Sequence, residues 1–461
     1  MGSHGPLRRS DVEEMFTLTP LQQGMLSYAA SGLHAFHERN VTTLDGLLNV
    51  EAFAAAWQAV VQRHPALRTA FVWKGLQVPH QVVFRRAALR IHHVDWTRLD
   101  PEAQERQLQR LLAAPGTWSL DRPPLMTIFL VRAAERRFHL AWTISHLLTD
   151  AFSFSIVIED LLQRYRHALE GRPWDAAPGP SFRAYVAWLK RQDPSPALAE
   201  WERALVSRAG PRRSPLPVAG PPTSRITTRR TTLPEDLSAA LQAYATRRRT
   251  SLFTIYFGSL ALVQRMLTDS PLPLIAIITS CRSLPVQGIE SMVGLVMNCV
   301  PVPVDLPGHE TLTDWLAGLG DDLQRFLRLE YVPFQQFQEI CATRGLRVEV
   351  AFNFLNVNRR PRHGAGFDVV DYRQALSSNF PIGVNVIPGR ETEIEVSYPS
   401  SLFNAAMVDR MLEQWRETLA LVPAGERTVG DVARAVTAAS AAARAADVEE
   451  RRRESLPEWI V

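Results

Sequence analysis

Cysteine is scarce. Cys281, Cys299 and Cys341 are three in 461 residues, and no two stand at CxxC spacing. An odd, widely spaced set excludes a disulfide framework and a cysteine-based zinc site, and it fits a reducing cytoplasm. No metal ligands are expected. Long apolar runs are also missing. The longest, such as residues 273–278, fall far short of the roughly 20 residues that a membrane helix needs, so no membrane association is expected. Thr, Pro and Gln interrupt residues 18–25, so no signal peptide is expected to open the chain. Residues 1–5 are set aside from fold reasoning. A basic stripe with interleaved aromatics is missing as well. The arginine pairs and runs (Arg212-Arg213, Arg229-Arg230, 451–453) are scattered, which excludes a nucleic-acid surface.

What is present is ordinary globular chemistry. Hydrophobic residues make up 46% and charged residues 21% of the chain, and the formal charge is +4. The length exceeds one ordinary core and implies two lobes. Residues 171–180 are rich in Pro and Gly and mark a boundary. Residues 209–224 read as an exposed loop.

Periodicity places the elements. Thr19 caps a helix that has Pro20 in its first turn and Leu21, Met25 and Leu26 on one face. Residues 50–64 repeat apolar side chains at helical spacing. Residues 67–73 and 138–144 read as strands, the second with Phe138, Leu140, Trp142 and Ile144 alternating onto one face. A helix is predicted over 152–168, a helical stretch over 181–205 and two helices within 237–266. Residues 274–279 read as a buried strand and 300–304, alternating with prolines, as an edge strand or extended segment. Residues 312–329 and 405–421 are helical, and 348–354 and 392–397 are strands. The segment from 435 onward is helix or linker. Strands and helices alternate in both halves.

One segment carries chemistry. Residues 145–153 read SHLLTDAFS. They place His146 where a strand runs into a helix, with backbone amides facing a ligand. A histidine there accepts a proton from an amine or hydroxyl near working pH. Asp150 either contacts His146 or pairs with an arginine and braces the loop. Taken alone, a His beside an Asp is more often a capped turn than a catalytic site. Among other polar candidates, Arg68 reads as one half of a structural ion pair, Trp142 and Trp188 as core, and residues 331–334 as packing at a helix or loop end. Ser153 reads as the cap of the following helix. The Ser145 side chain should point opposite to that of His146 if the strand continues, so it is not an acyl nucleophile.

Six segments, in order, resemble the core motifs of nonribosomal peptide synthetase condensation domains. They are residues 19–26 (TPLQQGML), 63–71 (RHPALRTAF), 145–153, 182–188 (FRAYVAW), 292–301 (MVGLVMNCVP) and 330–334 (EYVPF). The third stands where the family carries HHxxxDG. The resemblance covers roughly residues 15–430. It implies an α/β fold of two chloramphenicol-acetyltransferase-like lobes in a V-shaped pseudo-dimer with a tunnel between them. The N-terminal lobe would span 6–175, the C-terminal lobe 176–435, and a tail 436–461.

The resemblance implies an acyltransferase. It would move an acyl group from a carrier-protein phosphopantetheine thioester to an amine or hydroxyl, with no bound cofactor. An acyl or peptidyl carrier protein is the implied partner, and the modest positive charge suits it. The implied chain is a cytoplasmic monomer. The matching catalytic residue is His146. The matching Asp150 pairs in the family with an arginine, here Arg282 in Ser280-Cys281-Arg282. Ala151 stands at the oxyanion or loop position, and Ser145, Ser153 and Asn298 are candidate tunnel-lining residues. Ser145 replaces the first His of the motif and Ala151 its closing Gly, and an alanine resists a positive φ. The pattern SHxxxDxxS is similar to that of terminal, chain-releasing condensation-like domains, so amide or ester formation with chain release is one expectation. Competing expectations are an inactive docking domain that recruits a tailoring enzyme, an epimerase of the same fold, and a coenzyme A acyltransferase.

Overall fold

The structure is a computed structural model. It describes residues 8–30, 36–114, 116, 118–174, 177–207, 226–268, 272–355, 366–376 and 380–454. The predicted loop at 209–224 lies outside the described residues. The chain divides into two compact units. One is built from Met1–Asp193, Ser280–Asn298 and Asn358–Ser378; the other is built from Pro194–Thr279, Cys299–Val357 and Asn379–Val461. The chain therefore returns to the first unit twice after leaving it.

The first unit runs β1 (Val12–Thr17), α1 (Pro20–Ala30), β2 (His37–Gly46), α2 (Val50–Arg63), β3 (Thr69–Val72), β4 (His80–Phe84), β5 (Ile91–Asp95), α3 (Pro101–Ala113), β6 (Met126–Ala134), β7 (Arg137–Ser145), α4 (Ala151–Leu169) and α5 (Arg183–Leu189). In the second unit lie α6 (Ser195–Ser207), β8 (Ile226–Thr232), α7 (Glu235–Arg248), α8 (Leu252–Thr268) and β9 (Leu274–Thr279). β10 (Asn298–Pro303), α9 (Leu312–Leu327), α10 (Phe334–Thr343) and β11 (Val350–Phe354) follow. β12 (Phe367–Leu376) belongs to the first unit, and β13 (Ile382–Ile387), β14 (Glu393–Pro399), α11 (Ala405–Leu421) and α12 (Val429–Glu454) complete the chain.

The first unit holds a five-stranded sheet in the order β12-β2-β7-β6-β5 and a small sheet β1-β4-β3. The β2–β7 pair is antiparallel, with Glu38 opposite Ile144 and Asn40 opposite Trp142. Partners opposite each other share a face, so Glu38 stands on the face that carries Ile144, Trp142, Leu140 and Phe138. Helices α2 and α4 cover that face. Trp142 stacks on Phe154 of α4 at 4.8 Å and meets Trp57 of α2 at 5.5 Å. β12 joins as the edge strand, antiparallel to β2. Gly46, at φ +142, lets it in, because a side chain there would collide with the Gly366 carbonyl.

The second unit holds a six-stranded sheet, β10-β9-β11-β13-β14-β8, with β9, β11 and β13 mutually parallel. Its core is apolar, built on Phe257 and Leu260 of α8, Phe326 of α9, Phe352 of β11 and Trp415 of α11. The helical stretch predicted over 181–205 is two helices, α5 and α6, parted around Asp193 and Pro194. No helix among the described residues is long and apolar enough to cross a membrane.

Candidate active site

The site grows from the end of β7. Its strand hydrogen bonding runs one residue past the sheet, because the His146 amide donates to the Phe36 carbonyl at 2.8 Å. The chain then turns through Leu147, Leu148 and Thr149, and α4 starts at Ala151. Asp150 is the N-cap: its side chain accepts from the Ser153 amide at 2.7 Å. This corrects the expectation that Ser153 caps the helix. Aspartate wins because its carboxylate reaches the third helical amide directly. Ala151 sits in regular helix at the first position, and Phe36, Arg249 and Cys281 are the non-glycine residues with positive φ among the described ones. Alanine in place of the motif's glycine therefore meets no backbone conflict.

The turn is held from outside. Thr19 and Gln22 cap α1 reciprocally, each backbone amide donating to the other's side chain at 3.0 and 3.1 Å. The Gln22 side-chain amide then donates to the Leu147 carbonyl at 2.9 Å, and Gln81 donates back to Gln22 at 3.0 Å. The first motif thus acts as a strut beneath the His146 turn.

His146 is almost fully buried. Its Nδ1 lies 2.6 Å from the Thr149 carbonyl and 3.0 Å from Oε1 of Glu38. A carbonyl can only accept, so Nδ1 carries a proton, and in the neutral ring Nε2 keeps its lone pair. Among the described residues, Nε2 has no hydrogen-bond partner. Burial works against a charged imidazole. The Glu38 carboxylate, the Thr149 carbonyl and Asp150 outweigh it and hold His146 above its ordinary value.

Asp150 is the hub of the brace. Nη2 of Arg282 lies 3.1 Å from both of its carboxylate oxygens, and the Val296 amide donates to it at 2.9 Å. Burial pushes the Asp150 carboxyl up, while Arg282 and Ser153 pull it back. A guanidinium and two backbone amides already point at its oxygens, so the group is a carboxylate. Arg282 also donates through Nη1 to the Ile289 and Met292 carbonyls, at 2.5 and 2.6 Å, and lies over the Phe152 ring at 4.8 Å. Ser153 is fully buried. Its hydroxyl donates to the Gly294 carbonyl and accepts from the Gly294 amide and from Arg282. Gly294 is close against Phe182, at the start of α5, with no room for a β-carbon.

The structure thus brings His146, Asp150, Ala151, Ser153 and Arg282 into one neighbourhood within the first unit. Ser145 ends β7 opposite His37, and Asn298 opens β10; both are buried. Arg68 donates to Glu13 at 2.7 Å and to the Phe84 carbonyl, a structural role. The three cysteines are buried and form no disulfide, and burial pushes the Cys299 thiol up to about 12, which leaves it unreactive. Sequence reading missed Glu38 and Gln81. Glu38 lies on a strand whose polar run gives no period, and only its register opposite Ile144 shows that it faces the core.

A family profile for the condensation domain matches residues 12–427. A linear gramicidin synthase protein of Brevibacillus parabrevis is 31% identical over 428 residues, which is 88% of this chain and 8% of that protein. Chondramide synthase cmdD of Chondromyces crocatus is 31% identical over 384 residues, 80% of this chain and 10% of that protein. The chain therefore spans about a tenth or less of the length of these relatives. Among solved structures, the first condensation domain of the calcium-dependent antibiotic synthetase, in complex with a substrate analogue, superposes with a TM-score of 0.76 at 17% identity, covering 91% of this chain and 99% of that one. The X-domain from teicoplanin biosynthesis, in its complex with OxyB, superposes at 0.74 with 19% identity, covering 94% and 99%. The likeness to those structures shows the mixed α/β fold. The profile match over nearly the whole chain shows more: the chain belongs to the condensation-domain family of nonribosomal peptide synthetases.

Proposed function

We propose that this domain joins a carrier-bound acyl group to an amine or hydroxyl acceptor, with His146 as the proton acceptor. One observation carries the reading. Nδ1 of His146 is committed to the Thr149 carbonyl and Glu38, which leaves Nε2 as a basic lone pair with no partner among the described residues. The acceptor's N–H or O–H would donate there. Its nitrogen or oxygen attacks the thioester carbonyl, and the proton passes to Nε2. The tetrahedral intermediate expels the phosphopantetheine thiolate, which takes that proton back from Nε2. One acyl–sulfur bond breaks, one amide or ester bond forms, and His146 is returned neutral.

The first amides of α4, at Ala151 and Phe152, have no intrahelical partner and would face the developing oxyanion. Such a contact is worth roughly 3–4 kcal/mol. Asp150 and Arg282 would touch no substrate and act by fixing the turn. The carrier arm is substrate here, and the chemistry requires no bound cofactor. The SHxxxDxxS pattern supports a chain-releasing member that forms an ester or amide.

The test loads acyl groups on a carrier protein, adds amines or alcohols, and follows acyl loss by intact mass. His146→Ala should lower transfer by about 10²–10⁴-fold with the circular dichroism spectrum unchanged. Full activity in that variant would reject the assignment. No transfer by the parent chain with any pair, alongside tight binding to a tailoring oxidase, would favour an inactive docking domain instead.

A further inference from the structure

We propose that Glu38 is the positioning residue of the reaction: it holds the His146 ring in register and stabilises the imidazolium that forms when the nucleophile's proton is taken. This rests on the reading that His146 accepts that proton.

Glu38 is an acidic residue in an apolar setting. Glu38 lies on the helix-covered face of the five-stranded sheet, opposite Ile144 and next to a core of Trp142, Trp57 and Phe154. It is 2% exposed. A buried carboxylate needs compensation, because an uncompensated one costs many kcal/mol. Its Oε1 meets His146 Nδ1 at 3.0 Å, and its Oε2 is buried with no hydrogen-bond partner. Among the described residues it makes no other ion pair or side-chain hydrogen bond. Its one compensating neighbour is the histidine.

The Thr149 carbonyl shares the same N–H at 2.6 Å. That carbonyl alone settles the tautomer, so Glu38 is not required for it. What a carboxylate adds over a carbonyl is full negative charge beside a ring that becomes positive midway through the reaction. The charged groups acting on His146 come from two elements: Glu38 from β2 and Asp150 from the cap of α4. Asp150 is already neutralised by Arg282. Glu38 has no cation of its own, so its charge is available to the imidazolium.

The test compares Glu38→Gln, Glu38→Asp and the parent in the carrier-loading assay across pH. Glutamine keeps the size and can still accept from Nδ1, but it carries no charge. We expect kcat to fall about tenfold or more in Glu38→Gln with KM within about twofold. The acid limb of kcat/KM should move to lower pH, because a less stabilised imidazolium loses its proton sooner. Glu38→Asp should recover part of kcat. A parent-like kcat and an unmoved acid limb in Glu38→Gln would overturn the proposal, as would a loss confined to KM. A second measurement needs no variant at Glu38: nitrogen NMR of labelled histidine in the full chain, with His146 assigned by its absence in His146→Ala. The neutral ring should be Nδ1-protonated, with its titration above the ordinary imidazole value of about 6.5. Titration at or below that value would also overturn it. The two readings fail separately. An active His146→Ala sinks the proton-acceptor assignment, whereas an inactive His146→Ala beside a parent-like Glu38→Gln sinks only Glu38.

Discussion

The two units spend their interiors differently. Among the described residues of the first unit, the charged and histidine residues buried as whole residues are His37, Glu38, His64, Arg68, His139, His146, Asp150 and Asp160, with the Arg282 side chain beside them; in the second they are Glu330 and Glu349. The second unit closes its core with whole aromatic side chains such as Trp415, Phe352 and Phe326. The first puts charge beneath its helices and must satisfy each group locally: His64 against Asp160 at 2.6 Å, Asp150 against Arg282, Glu38 against His146. Buried ion pairs contribute little net stability compared with apolar packing of the same volume. The difference matches the proposed site: the unit that tolerates costly buried charge is the one that holds His146, Asp150 and Glu38.

The sharpest way to break the comparison is to damage each interior equally. Trp415→Ala removes a fully buried indole whose Nε1 donates to Ser259 at 2.7 Å. Asp150→Ala removes the partner of a buried guanidinium together with the α4 cap. Each should cost about 3–5 kcal/mol in denaturant unfolding. They should then part company. Asp150→Ala should lose most acyl transfer per folded molecule, since Val296, Ser153 and Arg282 lose their common anchor. Trp415→Ala, assayed well below its melting temperature, should keep kcat within about threefold. Equal loss of kcat in both would show that the contrast between the units has no functional meaning.

How much of this was legible in the sequence follows from how local each cause is. Helix α4 was readable because Ile156, Ile158, Leu161 and Leu162 sit within a few turns of one another, and β7 because its alternation is complete within nine residues. β10 was readable as an edge strand because its prolines remove ladder donors. β2 and β12 were not readable. Their sequences alternate poorly, and they become strands by pairing with each other across a long stretch of chain. The same non-locality hid Glu38, whose role depends on its register opposite Ile144, and Gln81, which acts through Gln22. His146 and Asp150 stood out because their motif is contiguous and five other segments fall in order around it. The capping expectation failed at Ser153 because two good capping residues lie three apart, and spacing alone does not say which one takes the amide.

A smaller effect tests the segment of the second half that returns to the first unit. Cys281 stands in that return, fully buried, at φ +50. Glycine adopts this conformation without strain, whereas a residue with a β-carbon does not. Cys281→Gly and Cys281→Ala both remove the thiol, but only alanine keeps a β-carbon in the left-handed region. The glycine variant should be the more stable by about 1 kcal/mol, read as the difference in urea midpoints. If the order is reversed, burial rather than backbone conformation governs this position.

The smallest effect isolates what burial does to a single chemistry. Arg390 holds Glu235 in the second unit by a fork, Nη2 donating to both carboxylate oxygens at 2.8 and 2.9 Å and Nε to one at 3.1 Å. In distances this rivals Arg282 on Asp150. The Arg390 side chain, however, is 85% exposed, against 7% for Arg282. Water screens the exposed pair and solvates whichever partner is left behind, so Arg390→Ala should cost less than about 1 kcal/mol and less still in high salt. Arg282→Ala leaves Asp150 buried with only two amides and should cost several times more, with little salt dependence. Double-mutant cycles at low and high ionic strength measure both. Similar coupling energies at the two sites would mean that Asp150 is less isolated from solvent than its burial indicates, and the contrast between the two interiors would have to be redrawn around access of water rather than charge.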